Sequence, residues 1–360
     1  MSSNFGKHLK IHIFGQSHGE GLGVVVDGLP SGEALDMEQV ALFLARRRAG
    51  HYACSTKRTE SDMPKVLSGL WNGQTCGAPL CAVFTNDDTR STDYTSLSSI
   101  PRPSHADYPA AVKYHGANDG RGGGHFSGRL TLPLCFAGAV CQQLLARRGV
   151  FTGAHIASIG EVNDRPYDAV NLSLEELQTA ASAHFPVHDA AAGELMIEAM
   201  TEAAAQKDSL GGMVEGAVIG LPAGVGEPLF AGIENHLASV LFGIPAVKGL
   251  EFGAGFAASQ MRGSQHNDAY YFDGDIVRTR TNHAGGILGG LSTGMPVIFR
   301  VAFKPTSSIG KEQQSVNLQT KEDTKLTVSG RHDPCIVPRA VVCVEAAAAV
   351  AILDLLLLQQ

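Results

Sequence analysis

Two stretches of the chain carry the same turn residues in the same order. Gly28-Leu29-Pro30-Ser31-Gly32 follows an apolar run and precedes a helical pattern, and Gly220-Leu221-Pro222-Ala223-Gly224 does the same. Downstream, Gly77-Ala78-Pro79-Leu80 leads into one apolar run and Gly294-Met295-Pro296-Val297 into another. Gly and Pro are the strongest local punctuation a chain has. A repeated order of such turns therefore constrains the order of the strands and helices between them. It predicts a duplicated α+β unit, with pseudo-repeated halves at roughly 1–150 and 151–360 sharing one core. No low-complexity linker separates the halves, so residues 1–360 are expected to form a single integrated domain.

The elements follow from periodicity. Residues 9–14, 22–27, 80–84, 213–219 and 297–303 read as strands. Asp36 is placed to cap a helix running to Arg48, with Gln39 spaced for a capping box, arginines in the last turn and Gly50 past the end. Further helices are expected over 130–148, with Pro133 in the first turn, and over 194–206 and 235–241. Residues 341–358 are apolar but contain Glu345 and Asp354, charges that are costly in a bilayer. A buried terminal helix is expected there.

Charge and cysteine usage narrow the function classes. A formal net charge of -7 disfavours nucleic-acid binding through bulk charge. Arginines are nevertheless locally dense, which suits a cationic pocket for a small anion. Seven cysteines without a CxxC pair argue against a disulfide framework and against zinc. There is no HExxH, and no metal site is expected. The first residues lack an apolar signal core. A cytoplasmic protein without a membrane partner is expected.

Chemistry-bearing residues gather in a few motifs. Gly120 to Arg129 joins three consecutive glycines to Arg121, His125, Ser127 and Arg129, a backbone that can approach a ligand beside several donors. Glycines on both sides expose His18 in Phe14-Gly15-Gln16-Ser17-His18-Gly19. Two prolines stiffen the approach to His105 in Pro101-Arg102-Pro103-Ser104-His105, although Ser104 could instead cap the next helix. Asp333 lies between Arg331-His332 and Pro334, open to a role as base or to an Asp-Pro turn with a structural salt bridge. Lys304-Pro305-Thr306-Ser307-Ser308 offers one cation and three hydroxyls for a phosphate or polar heterocycle. Gly253-Ala254-Gly255-Phe256-Ala257-Ala258 imitates a dinucleotide fingerprint, with Asp273 about twenty residues on.

Taken in order, these motifs resemble the chorismate synthase family. The matching pieces are FGQSHG at 14–19, RRRAG at 46–50, RPSHADY at 102–108, RGGGHFSGR at 121–129, NHAGGILGG at 282–290, KPTSS at 304–308 and GRHDPCIVPRA at 330–340. They span nearly the whole chain. The resemblance implies an α+β fold, a β-α-β sandwich with a helical layer between two antiparallel sheets, assembled as a homotetramer. It implies a 1,4-anti elimination of phosphate from 5-enolpyruvylshikimate 3-phosphate, giving chorismate at the end of the shikimate pathway. Reduced FMN is required without net redox change. NADPH would serve as an indirect reductant, and because no extra reductase domain is visible, dependence on an external flavin reductase is expected.

The resemblance also assigns roles. His18 matches the residue that protonates reduced flavin, His105 the acid toward the leaving phosphate, and Asp333 the acid that helps take up the ring proton. His125, Ser127, Ala246, Gly289, Lys304, Pro305, Thr306, Ser307, Ser308 and Arg331 stand at cofactor-binding positions. Arg47, Arg48, Arg129 and Arg339 are candidates for the substrate's phosphate and carboxylates. The chain departs from the family pattern at Gln16, at His125-Phe126 where Arg-Ser is common, at Ala53, and at Pro245. Two other readings compete: a nicotinamide-dependent oxidoreductase built on 253–258, and a catalytically silent phosphometabolite-binding relative.

Overall fold

The computed structural model describes residues 3–48, 60–86, 99–328 and 333–359. The first sheet contains β1 (Asn4–Phe5), β2 (Lys10–Gly15), β3 (Gly21–Asp27), β4 (Lys65–Ser68) and β5 (Leu80–Thr85), in the order β1-β2-β3-β5-β4. The second contains β6 (Phe151–Ile159), β7 (Val162–Asn163), β8 (Gly212–Ile219), β9 (Val247–Phe252) and β10 (Val297–Phe303), in the order β9-β10-β8-β6-β7. Every pairing in both sheets is antiparallel. Strands β2, β3, β5 and β4 thus lie side by side in the order in which β6, β8, β10 and β9 do.

The helices are α1 (Met37–Ala45), α2 (Asp107–Lys113), α3 (Thr131–Ala146), α4 (Leu174–Ser182), α5 (Ala190–Ala205), α6 (Ile233–Leu241) and α7 (Val337–Leu358). Helix α3 packs on the first sheet and on α7, and α7 packs on the second sheet. This pair is the middle of a β-α-β sandwich. Both helices are apolar all round, as elements buried on every side must be. They meet backbone to backbone: a Cβ at Gly138 would lie 2.3 Å from the Cα of Ala346. The Phe84 ring of β5 meets Phe136 of α3 edge-on at 6.1 Å.

Helix α7 and the segment 128–146 are long and apolar enough to cross a membrane, but both are packed inside the protein. The two carboxylates of α7 have partners. Glu345 holds Arg46 through both oxygens. Asp354 accepts the backbone N–H groups of Lys7, His8 and Leu9 at 2.8–2.9 Å.

Several sequence expectations shift here. Helix α1 stops at Ala45, and Arg46 to Arg48 lie beyond it: Arg46 and Arg47 reach the buried carboxylates Glu345 and Asp62, and Arg48 reaches the carbonyl of the exposed Ser61. Asp36 caps α1 through the N–H groups of Glu38 and Gln39, but its own N–H goes to Gln143 of α3, which takes the place of a capping-box partner. Helix α5 begins at Ala190 rather than 194, since Asp189 caps it by accepting from the Ala191 N–H. The segment 253–258 leads into a 3-10 turn (Gly255–Gln260) in an antiparallel setting. It has neither the parallel strands nor the helix that a dinucleotide fingerprint requires, which removes the nicotinamide reading.

Candidate active site

The glycine run is the hub. Gly122, Gly123 and Gly124 all have left-handed backbones, with φ of +60, +96 and +55°. A side chain at this place would collide. A Cβ on Gly122 would lie 2.1 Å from Cε1 of His18, and one on Gly123 would lie 3.3 Å from Nε2 of His105. The turn therefore passes directly between the two histidines. His18 is buried, and its Nδ1 lies 3.1 Å from the Ser17 hydroxyl. That hydroxyl donates to the Arg121 carbonyl at 3.2 Å, so it accepts from His18 Nδ1–H. The Ser17 N–H in turn donates to the Gly124 carbonyl at 3.1 Å.

His105 is held from the other side. Ser104 adopts φ +60°, unusual for a residue with a side chain, and so folds His105 back toward Arg102 and Asp107. Ser104 makes no helix cap. Nδ1 of His105 lies 2.5 Å from Asp107 Oδ1. Arg102 donates to both oxygens of Asp107, at 2.7 and 2.8 Å, and reaches the Ser308 hydroxyl at 3.2 Å. Burial pushes the Asp107 carboxyl up, but the hydrogen bonds from Arg102 and His105 outweigh it and hold the group well below the usual carboxylate range.

The arginines form a cluster in which Arg47 and Arg129 are buried and Arg48 and Arg339 half-buried. Arg47 donates to Asp62 at 3.0 Å, and Arg129 holds the other oxygen of the same carboxylate. Glu60 lies 3.7 Å from Arg129. Burial raises the Asp62 carboxyl, yet the charges of Arg47 and Arg129 bring it below its ordinary value. Arg48 donates to the Ser61 carbonyl at 2.7 Å. Arg339 donates to the Arg47 carbonyl at 3.0 Å and to Asp333 at 2.5 Å. Among the described residues, the buried Nε atoms of Arg47 and Arg48 have no hydrogen-bond partner. Those donors suit an anion.

The remaining contacts close a circuit. Asn86 donates to the carbonyls of Gln16 and Gly19 beside His18 and accepts from Arg129 Nε at 3.1 Å. Thr306 donates to the Asp333 carbonyl at 3.2 Å, and Ser308 meets Arg102. The Lys304 N–H donates to the carbonyl of Ala246, a left-handed residue with φ +74°. Burial draws the Lys304 ammonium below its ordinary value, with Lys248 adding to the effect. The path thus runs from His18 through Asn86, Arg129, Asp62, Arg47, Arg339, Asp333, the 304–308 segment, Arg102 and His105 back to the glycine turn.

Other candidates sit differently. Both nitrogens of His125 are engaged, Nδ1 with the Gly15 carbonyl and Nε2 with the Ser3 hydroxyl, each at 2.8 Å. Ser127 accepts from the Arg129 N–H at 3.3 Å. Gly289 turns a short hairpin whose Leu288 and Leu291 line an apolar cavity of about 660 Å³, a cavity that none of the other candidates lines. Arg331, like Ala53, lies outside the described residues.

Sequence reasoning missed Asp62, Glu60, Asn86, Arg102 and Asp107. The last two were inside the RPSHADY motif, where a carboxylate two residues after a histidine was an available signal. Nothing local marks Asp62 or Asn86, whose partners come from distant segments.

The family model described as chorismate synthase matches residues 9–357. The chain is 45% identical to a chorismate synthase of Lancefieldella parvula, covering 99% of this chain and 96% of that protein. It is also 45% identical to one from Thermococcus kodakarensis, covering 98% and 97%. A crystal structure of chorismate synthase superimposes with a TM-score of 0.77 at 26% identity, over 98% of this chain and 93% of that one. The chain belongs to the chorismate synthase family.

Proposed function

We propose that this chain catalyses the FMN-dependent 1,4-anti elimination of phosphate from 5-enolpyruvylshikimate 3-phosphate, giving chorismate for aromatic amino-acid biosynthesis. The carrying observation is the circuit that sets His18 and His105 on one glycine turn and links it to buried arginines. The substrate has two carboxylates and a phosphate, and guanidinium forks match such groups. Arg47, Arg48, Arg129 and Arg339 would bind and orient it. An elimination needs an acid for the departing oxygen and a base for the proton. His105 would hold a proton at Nε2 toward the leaving phosphate. His18 would exchange one at its own Nε2, and Asp333 would help take up the ring proton.

The residues present fit a flavin. The half-buried Lys304 and the hydroxyls of Thr306, Ser307 and Ser308 suit a polar, phosphate-bearing group, with Pro305, Ala246 and Ser127 as further contacts. Gly289 belongs to the proposed set by family resemblance alone, since its hairpin borders a separate cavity. His125 and Arg331 complete the cofactor set proposed here. The chemistry reduced FMN supplies when bound is electron density toward the allylic C–O bond.

We further infer a cytoplasmic homotetramer that relies on an external flavin reductase, with NADPH as the indirect reductant. Exposed apolar residues such as Phe230, Phe256 and Phe272 support self-association. The test is an anaerobic assay with substrate and FMN, comparing dithionite with NADPH. Chorismate and phosphate are expected in equal amounts with dithionite, and neither with NADPH unless a flavin reductase is added. Substrate binding without either product under dithionite would identify a silent relative instead.

A further inference from the structure

We propose that Asp107 is a positioning residue that fixes the proton of His105 on Nδ1 and leaves Nε2 as the one ring atom presented to the reaction. The inference rests on the elimination proposed above for what the ring then does, but not for the state of the ring itself.

The geometry carries it. A carboxylate can only accept, so the 2.5 Å contact between Asp107 Oδ1 and His105 Nδ1 places the proton on that nitrogen. Arg102 Nη2 lies 3.1 Å from the same nitrogen. A guanidinium can only donate, so this contact would favour an unprotonated Nδ1 and competes with the carboxylate. The carboxylate contact, 2.5 against 3.1 Å, is the shorter and decides for a protonated Nδ1. Arg102 also serves Asp107. Its Nε, Nη2 and backbone N–H all donate to the carboxylate, at 2.7, 2.8 and 3.0 Å. The carboxylate is thereby locked in orientation, and Arg102 is itself anchored on Ser308.

The opposite edge of the ring is kept clear. Nε2 and Cε1 face Gly123, where even a Cβ would come to 3.3 Å. Nε2 can therefore give up a proton and return to the same neutral tautomer after each cycle. Asp107 hydrogen-bonds to His105 and to Arg102, and Arg102 reaches Ser308, so the histidine ring signals are what separate an effect through His105 from one through Arg102.

Asp107→Asn keeps the volume but adds an N–H₂ that can donate to Nδ1 and so admits the opposite tautomer. With the side chains of the full-length protein ¹⁵N-labelled at histidine, and His105→Gln used for assignment, the neutral His105 ring is expected to show a protonated Nδ1. In Asp107→Asn the signals should move toward a protonated Nε2. Phosphate release should slow by about 10²-fold. Asp107→Glu should restore both the tautomer and part of the rate. A merely structural Asp107 would lower the melting temperature without moving the ring signals. An unprotonated Nδ1 in the parent protein overturns the proposal, as does an Asp107→Asn variant with unchanged ring signals. Absence of chorismate formation by the parent protein would instead remove the proposed reaction, while the ring spectrum still decides the role of Asp107.

Discussion

Gly122 touches His18 so closely that a Cβ there would lie 2.1 Å from the ring Cε1 and 2.2 Å from Nδ1. The backbone of the turn is one wall of the imidazole's slot. Gly122→Ala must therefore displace His18 or the turn, and it places a side chain on a left-handed backbone at a cost of about 1–2 kcal/mol. Turnover is expected to fall by about 10²-fold, because a misplacement of about 1 Å has effects of that size. Gly120→Ala is the control. Gly120 has φ -86° and nothing within 4 Å of its Cβ position, so its substitution should leave the melting temperature unchanged. Equal behaviour of the two variants would contradict this reading of the turn.

Asp62 is the shared counter-ion of Arg47 and Arg129. Asp62→Asn leaves the buried Arg47 without its carboxylate and Arg129 with only Glu60, 3.7 Å away, and breaking a buried pair typically costs about 3–5 kcal/mol. The sign of the pH dependence follows from the lowered carboxyl. Its stabilisation is present above the unfolded value of 3.8 and is lost as pH falls through the lower folded value. Chemical denaturation should thus show a large deficit for Asp62→Asn near neutrality, shrinking only in strong acid. A deficit that grows with acidity would assign the stabilisation to another group.

What could be seen in the sequence was what local chemistry dictates. Val24 to Val26 and residues 297–303 show their strands because β-branched residues suit a pleated, packed surface. Helix α7 was visible as buried because Glu345 and Asp354 interrupt its apolar run. His18, His105, Asp333 and the arginines stand in motifs, and the structure joins them. The contacts that join them were hidden. Asn86 and Asp62 bind partners more than forty residues away in at least one direction, and no period or spacing records such pairs. The fates of Arg46 to Arg48 were misplaced for the same reason. As helix-end cations they satisfy the dipole, but Glu345, Asp62 and the Ser61 carbonyl offer more.

His155 sits fully buried between two carboxylates, with Nδ1 and Nε2 each 3.0 Å from Asp164 and Glu215. Arg300 lies 3.5 Å from Glu215, and the rings of Tyr167 and His188 pack on His155. Burial opposes charge on His155, but its hydrogen bonds to the carboxylates of Asp164 and Glu215 prevail and raise its pKa. A raised histidine stabilises fully below the unfolded value of 6.5 and loses that contribution as pH rises through the folded value. Asp164, drawn down to about 2 despite its burial, loses its contribution only as pH falls below its unfolded 3.8. The cluster is therefore most stabilising in mildly acidic solution. In urea titrations the advantage over His155→Gln should be largest near pH 5–6, a window set by those values, and should decline through the alkaline range. A constant difference would show that His155 is neutral in the folded protein.

Asp354 tests whether the apolar character of α7 or this buried carboxylate ties down the N-terminal strands. Its side chain is fully buried and accepts three backbone N–H groups, from Lys7, His8 and Leu9, while His236 Nε2 approaches to 3.4 Å. Asp354→Leu would make the helix more uniformly apolar and improve its helix propensity. It would also leave the buried Leu9 N–H without an acceptor, at about 1–3 kcal/mol, and the half-buried N–H groups of Lys7 and His8 at less. Asp354→Asn keeps one acceptor oxygen and should lie between the parent and Leu. The expected order of urea midpoints is parent, Asn, then Leu. Hydrogen exchange should speed up first at Lys7, His8 and Leu9, because their protection depends on this carboxylate rather than on a sheet partner. A Leu variant as stable as the parent would mean that water or other groups replace the carboxylate, and that burial of α7 alone holds the first strands in place.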